Sequence, residues 1–189
     1  MPKKIKILKL KINFLILPLW LITGMAWGQN SSLDVGLRFQ KTLNLYYENG
    51  LTLQYANTQL LNNRLVLGFN YVSSRLGSAI GSNALKQDNI FVSGAYLFRP
   101  RRTVKPFLRA NAGYFRADYE SEIFNSLDNS SPLLSAEFGL AIPTKSRLKT
   151  NASLGYNLIT GNGSEGPGTL YPVFYQLSVT WNILKPAAK

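Results

Sequence analysis

Four charged side chains stand where an alternating pattern puts polar residues: Arg38, Arg109, Glu137 and Lys149, with Asp34 and Arg116 nearer the ends of their segments. Charges enclosed in a narrow space are costly unless paired. Glu137 is therefore expected to bridge Arg109, Lys149 or Arg38, and the alternative is a wet, cation-lined path favouring anions. Other chemistry is sparse. The chain has no histidine and no cysteine, which removes the commonest general acid–base group and leaves only oxygen ligands for a metal. Asp118, Glu120, Glu122 and Asp128 form an acidic cluster that oxygen-loving Ca²⁺ would suit, but a solvated acidic loop is the preferred reading. The Gly161–Gly168 segment looks like a phosphate cradle but lacks the following Lys-Ser or Lys-Thr and any helix. Serine and lysine are too common here for a Ser–Lys pair to be inferred. No catalytic, cofactor-binding or metal residue is expected.

The elements that would position these charges are strands, because period two dominates. Leu33, Val35, Leu37 and Phe39 alternate with Asp34, Gly36, Arg38 and Gln40. Leu51, Leu53 and Tyr55 oppose Thr52, Gln54 and Ala56, and Leu65, Leu67, Phe69 and Tyr71 oppose Val66, Gly68 and Asn70. A fourth candidate, Asn89 to Phe98, has ambiguous faces: Ile90, Val92, Tyr96 and Phe98 make one, yet Phe91 and Leu97 fall on the other. Leu108 to Tyr114, Leu134 to Ile142, Leu148 to Leu158 and Val173 to Ile183 complete eight. Short polar turns at Asn62-Asn63-Arg64, Arg99 to Lys105 and Thr144 to Arg147 alternate with longer loops at Gly77 to Asp88, Ser121 to Ser131 and Gly161 to Leu170. A shorter first loop is expected at Asn49-Gly50, a reversal signal. Turns then gather at one end and loops at the other, as in an up-and-down meander.

Residues 1–28 read as a signal peptide and 29–189 as one domain. Lys3, Lys4, Lys6, Lys9 and Lys11 precede an apolar run to about Ile22, and Ala26-Trp27-Gly28 offers a cleavage site before Gln29. The run is shorter than the roughly 18 to 20 residues of a membrane-spanning helix and contains Pro18. Five of the 21 basic residues and none of the nine acidic ones lie in the leader, so 16 against 9 leaves the remainder near +7. Export and the absence of aromatics interleaved with Lys and Arg argue against nucleic acid.

Alternation suits a soluble barrel as well as a membrane one; the kind of polarity separates them. Water-facing surfaces are dense in Lys and Glu, whereas these polar faces are mainly Asn, Ser, Thr, Gln, Gly and Ala, with charges gathered in turns and loops. Glycines at Gly36, Gly68, Gly113, Gly139 and Gly155 would make room for bulkier neighbours in a narrow lumen. Tyr46, Tyr47, Tyr119 and Tyr171 at loop ends, and Phe98, Phe107 and Trp181 near turn ends, fit two interfacial girdles.

From Leu33 to Ile183 the pattern resembles the small outer-membrane β-barrels of the OmpA-like and OmpX-like class. The resemblance implies an all-β, eight-stranded antiparallel up-and-down transmembrane barrel preceded by a cleavable signal peptide, located in the outer membrane of a Gram-negative bacterium. Tyr175, Leu177, Val179 and Trp181 are similar to the C-terminal signal read by the barrel-insertion machinery in this class, although the usual glycine is missing and the chain runs on through Lys185, Pro186 and Lys189. Outer-membrane lipid and lipopolysaccharide are the other implied partners. The enzymes of similar barrel size, including lipid A deacylases, palmitoyl transferases and omptin proteases, use a histidine, so the expectation is a non-enzymatic barrel acting structurally or through its outward loops. A narrow porin-like channel and a soluble periplasmic lipid-binding barrel are the alternatives.

Overall fold

The computed structural model describes residues 31–42, 47–77, 83–119, 129–144, 146–159 and 172–184. The leader, Tyr46, Glu120, Glu122, Asp128, Gly161–Gly168 and Tyr171 lie outside the described residues, as do the side chains of Tyr47 and Tyr119. Eight strands follow in order: β1 Ser31–Thr42, β2 Tyr47–Asn57, β3 Leu65–Gly77, β4 Asn83–Leu97, β5 Lys105–Tyr119, β6 Ser130–Pro143, β7 Leu148–Ile159 and β8 Val173–Asn182. Each hydrogen-bonds to its sequence neighbours, and β1 pairs antiparallel with β8 from Asp34–Asn182 to Thr42–Phe174, closing the barrel. Closure leaves no unpaired edge, the condition for crossing hydrocarbon with strands.

The alternation read from the sequence sorts outward from inward along the strands. On β6, Ser131, Leu133, Ser135, Glu137 and Gly139 are buried while Pro132, Leu134, Ala136, Phe138 and Leu140 are exposed. The polarity is the reverse of a soluble protein's. Leu51 is 58% exposed, Val92 57%, Phe138 59% and Leu154 58%, whereas Arg38 and Glu137 are each 1% exposed. Exposed Leu37, Phe69, Leu108 and Leu177 carry the apolar belt onto the remaining strands. An apolar exterior around a polar interior is a transmembrane barrel, and it excludes a soluble barrel holding lipid inside.

Several local expectations change. Asn49-Gly50 is not a turn: it lies inside β2, opposite Ser73 and Val72, and a Cβ on Gly50 would overlap the Tyr71 carbonyl. Close strand approach explains that glycine, and the first connection falls at 43–46. Strand β4 starts at Asn83, so half of the expected Gly77–Asp88 loop is strand, pairing Lys86 with Arg75 and Asp118. Its ambiguous faces resolve with Ile90, Val92 and Phe98 exposed outside and Phe91, Ala95 and Leu97 buried inside. Phe107 is likewise buried in the lumen and does not belong to the girdle, while Phe98 and Trp181 are exposed. Arg116 points outward, since it shares parity with exposed Leu108 and Tyr114. The β2–β3 turn uses a 3-10 segment, Leu60–Asn62, with Leu61, Asn62 and Asn63 in the left-handed region, where asparagine is tolerated better than most residues.

The inward phenylalanines are seated by glycines. A Cβ on Gly155 would overlap Phe174 Cζ, and one on Gly139 would stand 2.7 Å from Phe107 Cζ. A ring already fills the space at Gly155, whereas at Gly139 the Ala152 carbonyl oxygen and Ser153 Cβ stand closer still than the Phe107 ring.

Candidate functional site

The lumen is filled in three layers. Its middle centres on Glu137, which projects from β6 opposite Gly155 of β7 and Arg109 of β5. Arg38, on β1 across the barrel, donates from Nη2 to Glu137 Oε1 at 2.8 Å, and Arg109 Nη1 donates to Oε2 at 3.2 Å. Asn111 Nδ2 adds a bond to Oε1 at 2.8 Å and Ser153 Oγ one to Oε2 at 2.8 Å. The carboxylate thus accepts four bonds, two of them from guanidinium groups, which satisfies its lone pairs. Both cations also lie over rings: Arg38 is 5.2 Å from the Phe91 centroid and Arg109 is 4.7 Å from that of Phe107. Such contacts favour weakly hydrated guanidinium over ammonium.

Toward the loop end, Val72, Phe91, Phe115, Ala117 and Leu133 form a buried apolar cluster beside the ion pairs. Glu48 is buried at the same end, with Oε1 accepting from Ser74 at 2.8 Å. Toward the turn end, Lys149 Nζ donates to Asp34 Oδ2 at 2.6 Å, and Asn182 Nδ2 donates to Oδ1 at 2.7 Å. A cavity of about 350 Å³ opens there and ends at Arg109.

Of the four expected lumen charges, the fold gathers Arg38, Arg109 and Glu137 into one network and sends Lys149 to Asp34. Lys149 is therefore not a partner of Glu137: it lies near the turn end of β7, whereas Glu137 faces Gly155 farther along that strand. Glu48 was missed because the Asn49-Gly50 turn reading cut β2 short. Extending the period-two pattern back from Gln54 through Thr52 and Gly50 reaches it. Phe115 and Phe174 stood on polar faces in the sequence, and Gly155, the register partner of Phe174, was the available signal for that ring. Tyr175, Leu177 and Trp181 are exposed on the outside of β8 and Val179 is half-buried there; Trp181 pairs with Val35 and Leu177 with Phe39 of β1. Asp118 is exposed, and among the described residues no group of three acidic, His or Cys side chains is arranged to hold a metal.

Solved structures share this architecture. The N-terminal β-barrel domain of Pseudomonas aeruginosa OprF superposes with a TM-score of 0.59 at 14% identity, covering 82% of this chain and 99% of that one. Neisserial surface protein A gives 0.54 at 18% identity, over 82% and 96%. Ail, the attachment invasion locus protein of Yersinia pestis, gives 0.50 at 18%, over 81% and 96%. The fold is thus that of small outer-membrane β-barrels. No protein-family profile matches the sequence. No curated protein does so either.

Proposed function

We propose that the chain is an integral protein of a Gram-negative outer membrane, exported by its N-terminal signal, whose lumen is closed and whose role is non-enzymatic. It works as a structural or surface-interaction protein through the loops at one end of the barrel. The observation that carries this reading is an apolar outer belt around a lumen crossed by the Arg38–Glu137–Arg109 ion pairs. The belt calls for hydrocarbon, and the pairs occupy the path that a channel would need. With the interior packed, the surfaces left for recognition are the two ends. Lipopolysaccharide, met by the loops, and membrane lipid, met by the belt, are the proposed partners. Tyr175, Leu177, Val179 and Trp181 are proposed as the strand that the insertion machinery reads. Ail, an attachment invasion locus protein by name, is consistent with a surface role for this fold.

Membrane fractionation with heat-modifiable gel mobility tests the placement; release by salt without detergent would overturn it. Planar-bilayer recording tests closure. The intact protein is expected to be silent, and Glu137→Ala to open it; steady anion-selective conductance that Glu137→Ala hardly changes would establish the channel reading instead. Shortening the loops at 120–128 and 161–170 is expected to abolish binding to lipopolysaccharide aggregates while preserving heat-modifiable mobility. Equal binding by intact and shortened protein would refute the loop reading.

A further inference from the structure

The cavity at the turn end of the lumen has two unlike walls. Val66, Ala95, Leu97, Phe107 and Ala141 make one side apolar. Arg109, Arg147 and Lys149 bring three cations to the lining, against the single carboxylate of Asp34. That carboxylate is committed, since Lys149 and Asn182 occupy its two oxygens at 2.6 and 2.7 Å. Arg109 turns one nitrogen toward Glu137 and stacks on Phe107, and it forms the inner limit of the cavity. Arg147 Nε is buried with no hydrogen-bond partner among the described residues. A buried charged donor left unsatisfied is unfavourable, and an excess of positive charge inside a low-dielectric wall attracts an anion more strongly than the same charges in water.

We propose that this vestibule is a binding site for small amphipathic anions, a carboxylate on an apolar body, entered from the turn end of the barrel. The carboxylate would lie against Arg147 and the cationic rim, and the apolar body against Phe107, Leu97 and Val66. Apolar burial supplies affinity and the cations fix orientation, the usual division of labour in a small-molecule pocket. Inorganic phosphate meets only the cationic wall and should bind less well. In the proposed orientation the site faces the periplasm, but the binding itself does not depend on which leaflet the turns meet.

The probe is 4-fluorobenzoate, followed by ¹⁹F NMR against the folded protein in zwitterionic nanodiscs, with empty nanodiscs as baseline. Saturable, protein-dependent broadening is expected, and the neutral isostere 4-fluorobenzamide should bind about tenfold more weakly. Arg147→Gln should weaken fluorobenzoate about fivefold, and Ala141→Leu, which narrows the apolar side, should do likewise. Heat-modifiable mobility shows which variants fold, and either one suffices. Broadening no greater than with empty nanodiscs, equal binding of the amide, or unchanged affinity in a folded variant would overturn the site. Displacement of fluorobenzoate by equimolar phosphate would overturn its amphipathic character.

Discussion

Removing the carboxylate of Glu137 leaves two buried guanidinium groups facing each other without their counter-ion. At an effective dielectric constant of about 20, the pairs at 2.8 and 3.2 Å are worth roughly 6 and 5 kcal/mol in gross Coulomb energy. Most of that gain is offset by the cost of bringing the charges out of water. What Glu137→Ala measures is the loss of a partner, which costs about 3–5 kcal/mol for a buried pair. No discount for solvent screening applies, because the Arg38 and Glu137 side chains are 1% and 0% exposed. With a urea dependence of about 2 kcal/mol per molar, typical for a small protein, the midpoint should fall by about 2 M. The assay is urea unfolding in phospholipid vesicles, followed by Trp fluorescence and by loss of heat-modifiable mobility. The combined variant Arg38→Met, Arg109→Leu, Glu137→Met, which removes every charge of the network, should recover most of the loss, since apolar replacement of a whole buried ion cluster is often neutral. A cost below about 1 kcal/mol for Glu137→Ala, or a combined variant weaker than the single one, would refute the ion-paired lumen.

Leu37→Arg or Val92→Arg, each in the exposed apolar belt, should cost about 2–4 kcal/mol in bilayers, read from the same unfolding curves; a negligible cost would mean that the belt does not meet lipid. Gly155→Val should prevent folding or cost more than about 1–3 kcal/mol through the clash with Phe174, and Phe174→Leu in the same chain should restore heat-modifiable mobility. Failure of that rescue would show that the glycine serves another purpose. Trp181→Ala should slow assembly in proteoliposomes containing the insertion machinery more than it slows spontaneous refolding in detergent micelles. Equal slowing in both would mean that Trp181 contributes to packing and is not read as a signal.

The belt and the closed strand order were legible in the sequence because both follow from local rules. Alternation places each side chain on one of two faces, as at Val35, Leu37 and Phe39 against Asp34 and Arg38. The choice between lipid outside and lipid inside was also local, since Thr52, Gln54, Asn111 and Ser135 carry none of the charge of a water-facing surface. The residues misplaced were those where a local signal competed with pairing. Asn49-Gly50 has turn chemistry, yet β3 holds it in register. Phe107 is aromatic, yet the lumen accepts it opposite Gly139.

The sequence by itself determined that charges at 38, 109, 137 and 149 share one face of their strands. It contained nothing that ranked Arg38 over Lys149 as the partner of Glu137. That ranking depends on where each strand sits around the barrel and how far along it each residue stands, quantities fixed only when β1 closes on β8. Closure carries Arg38 across the lumen to Glu137, 99 residues away in the chain, and brings Lys149 to Asp34 at the turn end. The vestibule beneath Arg109 is likewise a product of closure, because Val66 of β3 and Lys149 of β7 stand on strands that do not pair and meet only across the enclosed lumen.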